Sequence, residues 1–118
     1  MNKILYVDDA LSMRKLVQMV LGSEFDVTLA SNGQEALDVS LQTQFDAVIS
    51  DINMPIMDGL TFLGHFRSDE KHKFTPVLMM TTEASREIKD KGKALGATGW
   101  IVKPFDPVKL PDILRKLL

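Results

Sequence analysis

Ile4-Leu5-Tyr6-Val7-Asp8-Asp9 changes character in one step: four apolar residues, then two acids. Short apolar runs rich in β-branched residues recur at 27–30, 47–50, 77–81 and 99–102, and each reads as a buried strand. Between them the apolar spacing turns helical. Met13, Leu16, Val17, Val20 and Leu21 form one stripe, and Leu110, Ile113, Leu114, Leu117 and Leu118 form another. Ala36, Leu37 and Leu41 mark a helix in the thirties, and Leu60, Leu63 and Phe66 mark one in the sixties. A thinner one carries Ile88 and Leu95. Gly22 and Gly96 are expected just past helix ends. Asn32-Gly33 and Asp58-Gly59 fall where strand-to-helix turns are needed. Asp106 before Pro107 is expected to cap the last helix. Strands apolar throughout are covered on both faces, which requires a parallel sheet between two helix layers. The fold class is therefore α/β, five β-α units in a doubly wound sheet, for which the flavodoxin-like order 2-1-3-4-5 is the natural candidate.

Composition narrows the function. The 118 residues suit one domain over positions 1–118 and can fold without disulfides or a structural metal. With no cysteine, disulfide scaffolds, Cys-type zinc sites and thiol nucleophiles are excluded. The net charge of −2 is not that of a generic nucleic-acid binder. No run approaches a membrane span and the first apolar run is too short for a signal core, so a cytoplasmic setting is expected. His65 and His72 are expected on the surface.

In such sheets ligands bind beyond the carboxyl ends of the strands. Strand one ends in Asp8-Asp9, strand three in Asp51, strand four in Thr81-Thr82 and strand five in Lys103-Pro104. Three carboxylates meeting there repel and need compensation. Mg²⁺ suits such an oxygen site, and with Lys103 it balances the charge. Mg²⁺ beside a lysine is a phosphoryl clamp, Thr81 offers a hydroxyl donor, and a carboxylate in line can become an aspartyl phosphate. Asp51 is the best nucleophile, because Asp8 and Asp9 are adjacent and better suited to holding metal.

These residues carry a family resemblance. Tyr6-Val7-Asp8-Asp9, Ile49-Ser50-Asp51-Ile52-Asn53-Met54-Pro55-Ile56-Met57-Asp58-Gly59, Val77-Leu78-Met79-Met80-Thr81-Thr82-Glu83-Ala84 and Val102-Lys103-Pro104-Phe105 resemble the motifs of a bacterial two-component receiver domain, over all 118 residues. The likeness is to the stand-alone chemotaxis type. The strand order is that of known flavodoxin-like proteins, chemotaxis regulators among them, so it is adopted rather than deduced. The resemblance implies a signalling switch rather than an enzyme acting on a substrate, with Asp51 as phosphoacceptor. It implies Asp9 and Asp51 as direct Mg²⁺ ligands, Asp8 as the other member of the acid pair, and the Asn53 backbone carbonyl as a further ligand. Thr81 is implied as the switch hydroxyl and Lys103 as the phosphoryl partner, with a cis Lys103-Pro104 peptide. A histidine kinase would be the phosphodonor, and a phosphatase a further partner.

The resemblance also implies an output face made of helix four, strand five and helix five. Trp100 stands where the family usually has Tyr or Phe, and Thr82 where Ala or Gly is common, which is expected to slow water or a phosphatase. Glu83 and Asn53 match the chemotaxis pattern beside the site. Gly92 costs the fourth helix about 1 kcal/mol, so that helix is expected to move easily. Residues 1–83 carry a net −6 and residues 84–118 a net +4. Lys89, Lys91, Lys93, Lys109, Arg115 and Lys116 are expected to steer an acidic output partner. The flagellar motor switch is one such partner; a phosphate sink or a relay intermediate remains an alternative, and the protein is expected to be monomeric. A Mg²⁺-dependent phosphohydrolase would need a general acid at position 53, which is Asn. A nucleotide site would need a phosphate cradle where Asp8-Asp9 stand.

Overall fold

The computed structural model describes residues 1–82 and 85–118. Five strands alternate with five helices: β1 (Lys3–Val7), α1 (Leu11–Leu21), β2 (Asp26–Ala30), α2 (Gly33–Ser40), β3 (Ala47–Asp51), α3 (Gly59–Ser68), β4 (Val77–Thr81), α4 (Arg86–Leu95), β5 (Gly99–Val102) and α5 (Leu110–Leu117). The strands form one parallel sheet in the order β2-β1-β3-β4-β5, as expected. Val7 pairs with Ala30 and with Ser50, Asp51 with Met80, and Thr81 with Val102, so the carboxyl ends of the strands lie level.

Alternate strand residues feed two cores, because successive side chains point to opposite faces. Ile4, Tyr6, Ile49 and Met80 pack with Val17 and Leu21 of α1 and Leu110 and Leu114 of α5. Leu5, Val7, Val48 and Met79 pack with Ala36 of α2 and Phe62, Leu63 and Phe66 of α3. Each fully buried side chain of this kind contributes about 1.5–3 kcal/mol.

Local chemistry fixes where helices begin. The Asn32 side chain accepts the Glu35 N–H at 2.9 Å, and the Asp58 side chain accepts the Thr61 N–H at 2.8 Å. Each satisfies one orphan donor of a first helical turn. Gly59 is demanded by space: a Cβ there would lie 2.0 Å from the Asp51 carbonyl oxygen. That contact seats α3 directly against the end of β3. Gly96 ends α4 in the left-handed region at φ +100°, as its position predicts.

Gly22 falls just past the end of α1, as expected, at φ −64° and in close approach to Gln18. Three expectations need correction. Asp106 does not cap α5. It accepts the Val108 N–H in a preceding turn, and α5 starts at Leu110 with Pro111 in its first turn. His72 is only 2% exposed, held in a short 3-10 helix (Glu70–His72) that the apolar pattern does not reveal. Its ring stacks on Phe66, centroids 4.2 Å apart, while His65 is exposed as expected. Gly92, read as a weak point of α4, is a seat for another residue, described below.

Candidate functional site

Three strand ends bring their acids together. Asp8 is fully buried, Asp51 nearly so, and Asp9 exposed. One oxygen from each lies within 4.8 Å of the others. Lys103 enters from beyond β5, its ammonium 2.8 Å from Asp51 Oδ2 and 3.4 Å from Asp8 Oδ2. The Lys103-Pro104 peptide is cis, as expected, and the Lys103 N–H donates to the Thr81 carbonyl at 2.9 Å. Thr81 is buried at the end of β4 and Thr82 is exposed beside Lys103. Asn53 lies exposed in the loop after Asp51. Glu83 lies outside the described residues.

Hydrogen bonds hold the acids in place. Ala10 N–H donates to Asp8 Oδ1 at 2.9 Å and Ile52 N–H to Asp51 Oδ1 at 2.9 Å. Tyr6 Oη donates to Asp8 Oδ2 at 2.7 Å, and Arg14 holds the Asp8 carbonyl oxygen at 2.8 Å. Burial pushes the Asp51 carboxyl above its ordinary range, against the pull of Lys103. For Lys103, burial acts downward but is outweighed by Asp51 and Asp8, so the ammonium is held above its usual value. Burial and the two nearby acids raise the Tyr6 phenol, which therefore stays a donor. Asp51 is thus buried among charges that one lysine does not neutralise.

The donor set fits Mg²⁺. Oxygens on opposite sides of an octahedral Mg²⁺ lie about 4.2 Å apart, so a group already within 4.8 Å closes with small rotations. All its donors are hard carboxylate oxygens. Among the described residues this is the one acidic or histidine group with such spacing.

The residues expected on the output side divide. The indole of Trp100 lies over Gly92, where a Cβ would stand 2.4 Å from Cζ2. Lys89, Lys91 and Lys93 are all exposed on α4. Lys91 pairs with Glu87 at 3.6 Å and lines a largely apolar cavity of about 710 Å³ between α3 and α4, with Leu60, Gly64, His65 and Leu95. Lys89 and Lys93, one turn apart and so on one face, have no ion pair among the described residues. Arg115 does not belong to that basic set: Glu24 takes it at 2.5 Å and Asp112 also pairs with it.

Sequence reasoning passed over Tyr6, Arg14 and Gly59 as parts of the site. Tyr6 was legible, because two residues apart on a strand means one shared face with Asp8. Gly59 and Arg14 depend on three-dimensional approach and leave no local signal.

A parallel sheet whose carboxyl edge gathers three acids, a threonine and a lysine defines a receiver module. The chain belongs to that family: residues 4–115 match the response regulator receiver domain. It is a phosphoacceptor signalling switch of the two-component type. It is 42% identical to the chemotaxis protein CheY-3 of Vibrio cholerae, over 98% of this chain and 90% of that protein. The solved chemotaxis response regulator CheY4 of Vibrio cholerae superposes with a TM-score of 0.93 at 47% identity, covering 100% of this chain and 99% of that one. The receiver domain of the sensor histidine kinase PA1611 of Pseudomonas aeruginosa is similar at a TM-score of 0.89 and 25% identity, covering 98% and 96% of the two chains. That structure holds a magnesium ion in its active-site cleft. Among the described residues no helix is long and apolar enough to cross a membrane.

Proposed function

We propose that Asp51 accepts the phosphoryl group, with Asp9, Asp51 and the Asn53 carbonyl holding Mg²⁺ and Asp8 supporting them. The observation that carries this is the Lys103 ammonium 2.8 Å from Asp51 Oδ2, beside two further acids. An Asp51 oxygen attacks phosphorus of a kinase phosphohistidine. The P–O bond forms, the P–N bond breaks, and the ring nitrogen keeps the electron pair. The Lys103 ammonium already lies 2.8 Å from Asp51 Oδ2, so it need not be recruited to the group that oxygen accepts. When bound, Mg²⁺ supplies charge neutralisation on the transferring oxygens. An apolar cavity of about 440 Å³ lined by Met13, Leu16, Pro104 and Phe105 opens beside Lys103 and suits the apolar side chains of a docking phosphodonor.

Phosphorylation takes Asp51 from −1 to near −2. The Thr81 hydroxyl is the donor at the end of the adjoining strand, and β5 carries Trp100 from there to α4. The output partner binds the α4-β5-α5 face, where Lys89 and Lys93 favour acidic side chains; a flagellar motor switch is the candidate, by analogy with the chemotaxis relatives. The test is direct. Exposed to a small acyl phosphate with Mg²⁺, the intact protein gains one phosphoryl mass. The gain disappears without Mg²⁺ and in Asp51→Asn; an adduct that survives Asp51→Asn refutes the assignment.

A further inference from the structure

Tyr6 is the only tyrosine of the chain and is fully buried. It lies two residues before Asp8 on the same face of the chain, and its hydroxyl ends on the oxygen that also faces Lys103. Asp8 Oδ2 therefore accepts from a neutral phenol at 2.7 Å and from an ammonium at 3.4 Å, while Oδ1 is taken by the Ala10 N–H at 2.9 Å. The ammonium stands closer to Asp51, at 2.8 Å. Between two carboxylates a lysine divides its donors by what each acceptor has left to offer. The phenol has already claimed the short bond to Asp8, so the larger share of Lys103 goes to Asp51.

We infer that Tyr6 is a positioning residue of the phosphoryl site: its hydroxyl holds Asp8, leaves Lys103 to Asp51 and tempers the pull of Asp8 on the cation. The inference rests on the receiver reading of that site. Two consequences of opposite sign follow from removing the hydroxyl. Asp8 loses a donor that stabilises its charge, so it attracts a divalent cation more strongly. Asp8 also competes better for Lys103 and draws it from the oxygen that receives the phosphoryl group.

The test compares the wild-type protein with Tyr6→Phe, which keeps the buried ring. Mg²⁺ binding is followed by amide NMR shifts, and phosphorylation by an acyl phosphate at saturating Mg²⁺ is followed by intact mass. The Mg²⁺ dissociation constant is expected to fall about threefold and the phosphorylation rate to fall about fivefold, a split that loss of a hydrogen bond to a charged group allows. A ring that merely fills the core changes neither quantity or weakens both, and either result overturns the inference. A second readout keeps the hydroxyl. Because Tyr6 is unique, 3-fluorotyrosine labels it alone, and its ¹⁹F resonance is expected to move along the Mg²⁺ titration curve. A resonance that ignores Mg²⁺ also overturns the inference, even if Tyr6→Phe does not fold. If the wild-type chain takes up no phosphate, the receiver chemistry fails, while the Mg²⁺ comparison still decides the role of Tyr6.

Discussion

At the acid edge, both oxygens of Asp8 and both of Asp51 have partners in the protein. Along the ten residues of α4, Gly92 alone is buried. The two regions are joined through β4 and β5, yet they are held by different means. The edge is a network in which each group fixes another, and such a network does not relax piecemeal. The α4 helix is capped at both ends, by Ser85 and Gly96, but is held to the sheet by little more than Ile88 and the indole of Trp100 over Gly92. A switch needs this arrangement: a charge change is read at a stiff site and released at a helix whose packing is cheap to alter.

The sharpest way to break the comparison is Gly59→Ala. Its new Cβ would meet the Asp51 carbonyl oxygen at 2.0 Å, and that oxygen belongs to backbone that cannot swing aside. Stability is expected to drop by about 3 kcal/mol in urea unfolding, the upper end for overpacking. A loss under about 1 kcal/mol would mean that the acid edge yields as readily as α4.

Acid sensitivity is expected to come from neither region. His72 lies at the far end of the sheet from the acids, with no ordinary hydrogen-bond partner on either ring nitrogen among the described residues. Burial pushes its pKa down, against Asp69, whose Oδ2 stands 3.9 Å away, and against the Ser40 backbone; Lys71 and Arg67 act in the same direction as burial. The unfolded chain therefore binds the proton more tightly. Stability falls as pH drops from about 6.5 toward the lower folded value, by at most about 1.4 kcal/mol per pH unit. His72→Phe keeps the ring stack on Phe66 and is expected to remove that slope, read by urea unfolding at pH 5.5 and 7.5. A slope unchanged in His72→Phe would show that His72 is not its source.

Gly92→Ala tests the other side. In a free helix the change would gain about 1 kcal/mol. Here the Cβ meets Cζ2 of Trp100 at 2.4 Å, and the indole is the far end of a side chain that can move. A loss of about 1 kcal/mol is expected, with the emission of the single tryptophan shifted to the red as the ring leaves its seat. A gain in stability with unchanged emission would show that Trp100 does not hold α4.

The same contrast explains what the sequence made legible. Strands and acids were readable because burial on both faces and charge at strand ends are local patterns, as in Ile4-Leu5-Tyr6-Val7-Asp8-Asp9. His72 was misread because its burial depends on a 3-10 turn and on Phe66, six residues back and across a helix end. Gly92 was misread for a related reason: a glycine costs a helix the same from its own sequence whether it is a flaw or a seat, and only Trp100, on another element, distinguishes them. Arg115 likewise counted toward a basic face until Glu24 claimed it from the turn between α1 and β2. In each case the missing information was a contact between elements, which periodicity does not carry.

The smallest effect concerns strain, which the comparison places at the edge rather than at α4. Ile56, in the loop after β3, has φ +70°, and Met57 N–H returns to the Pro55 carbonyl at 2.7 Å, closing a three-residue turn. A β-branched residue there costs about 1–3 kcal/mol, and Gly relieves it while adding about 0.5–1 kcal/mol of unfolded-chain entropy. The side chain is 82% exposed, so little packing is lost. Ile56→Gly is therefore expected to raise stability by about 0.5 kcal/mol, seen as a rise of a few degrees in the thermal midpoint. A fall would mean that the backbone at 56 is relaxed, and that the loop beside Asp51 is as pliable as α4 rather than part of the stiff edge.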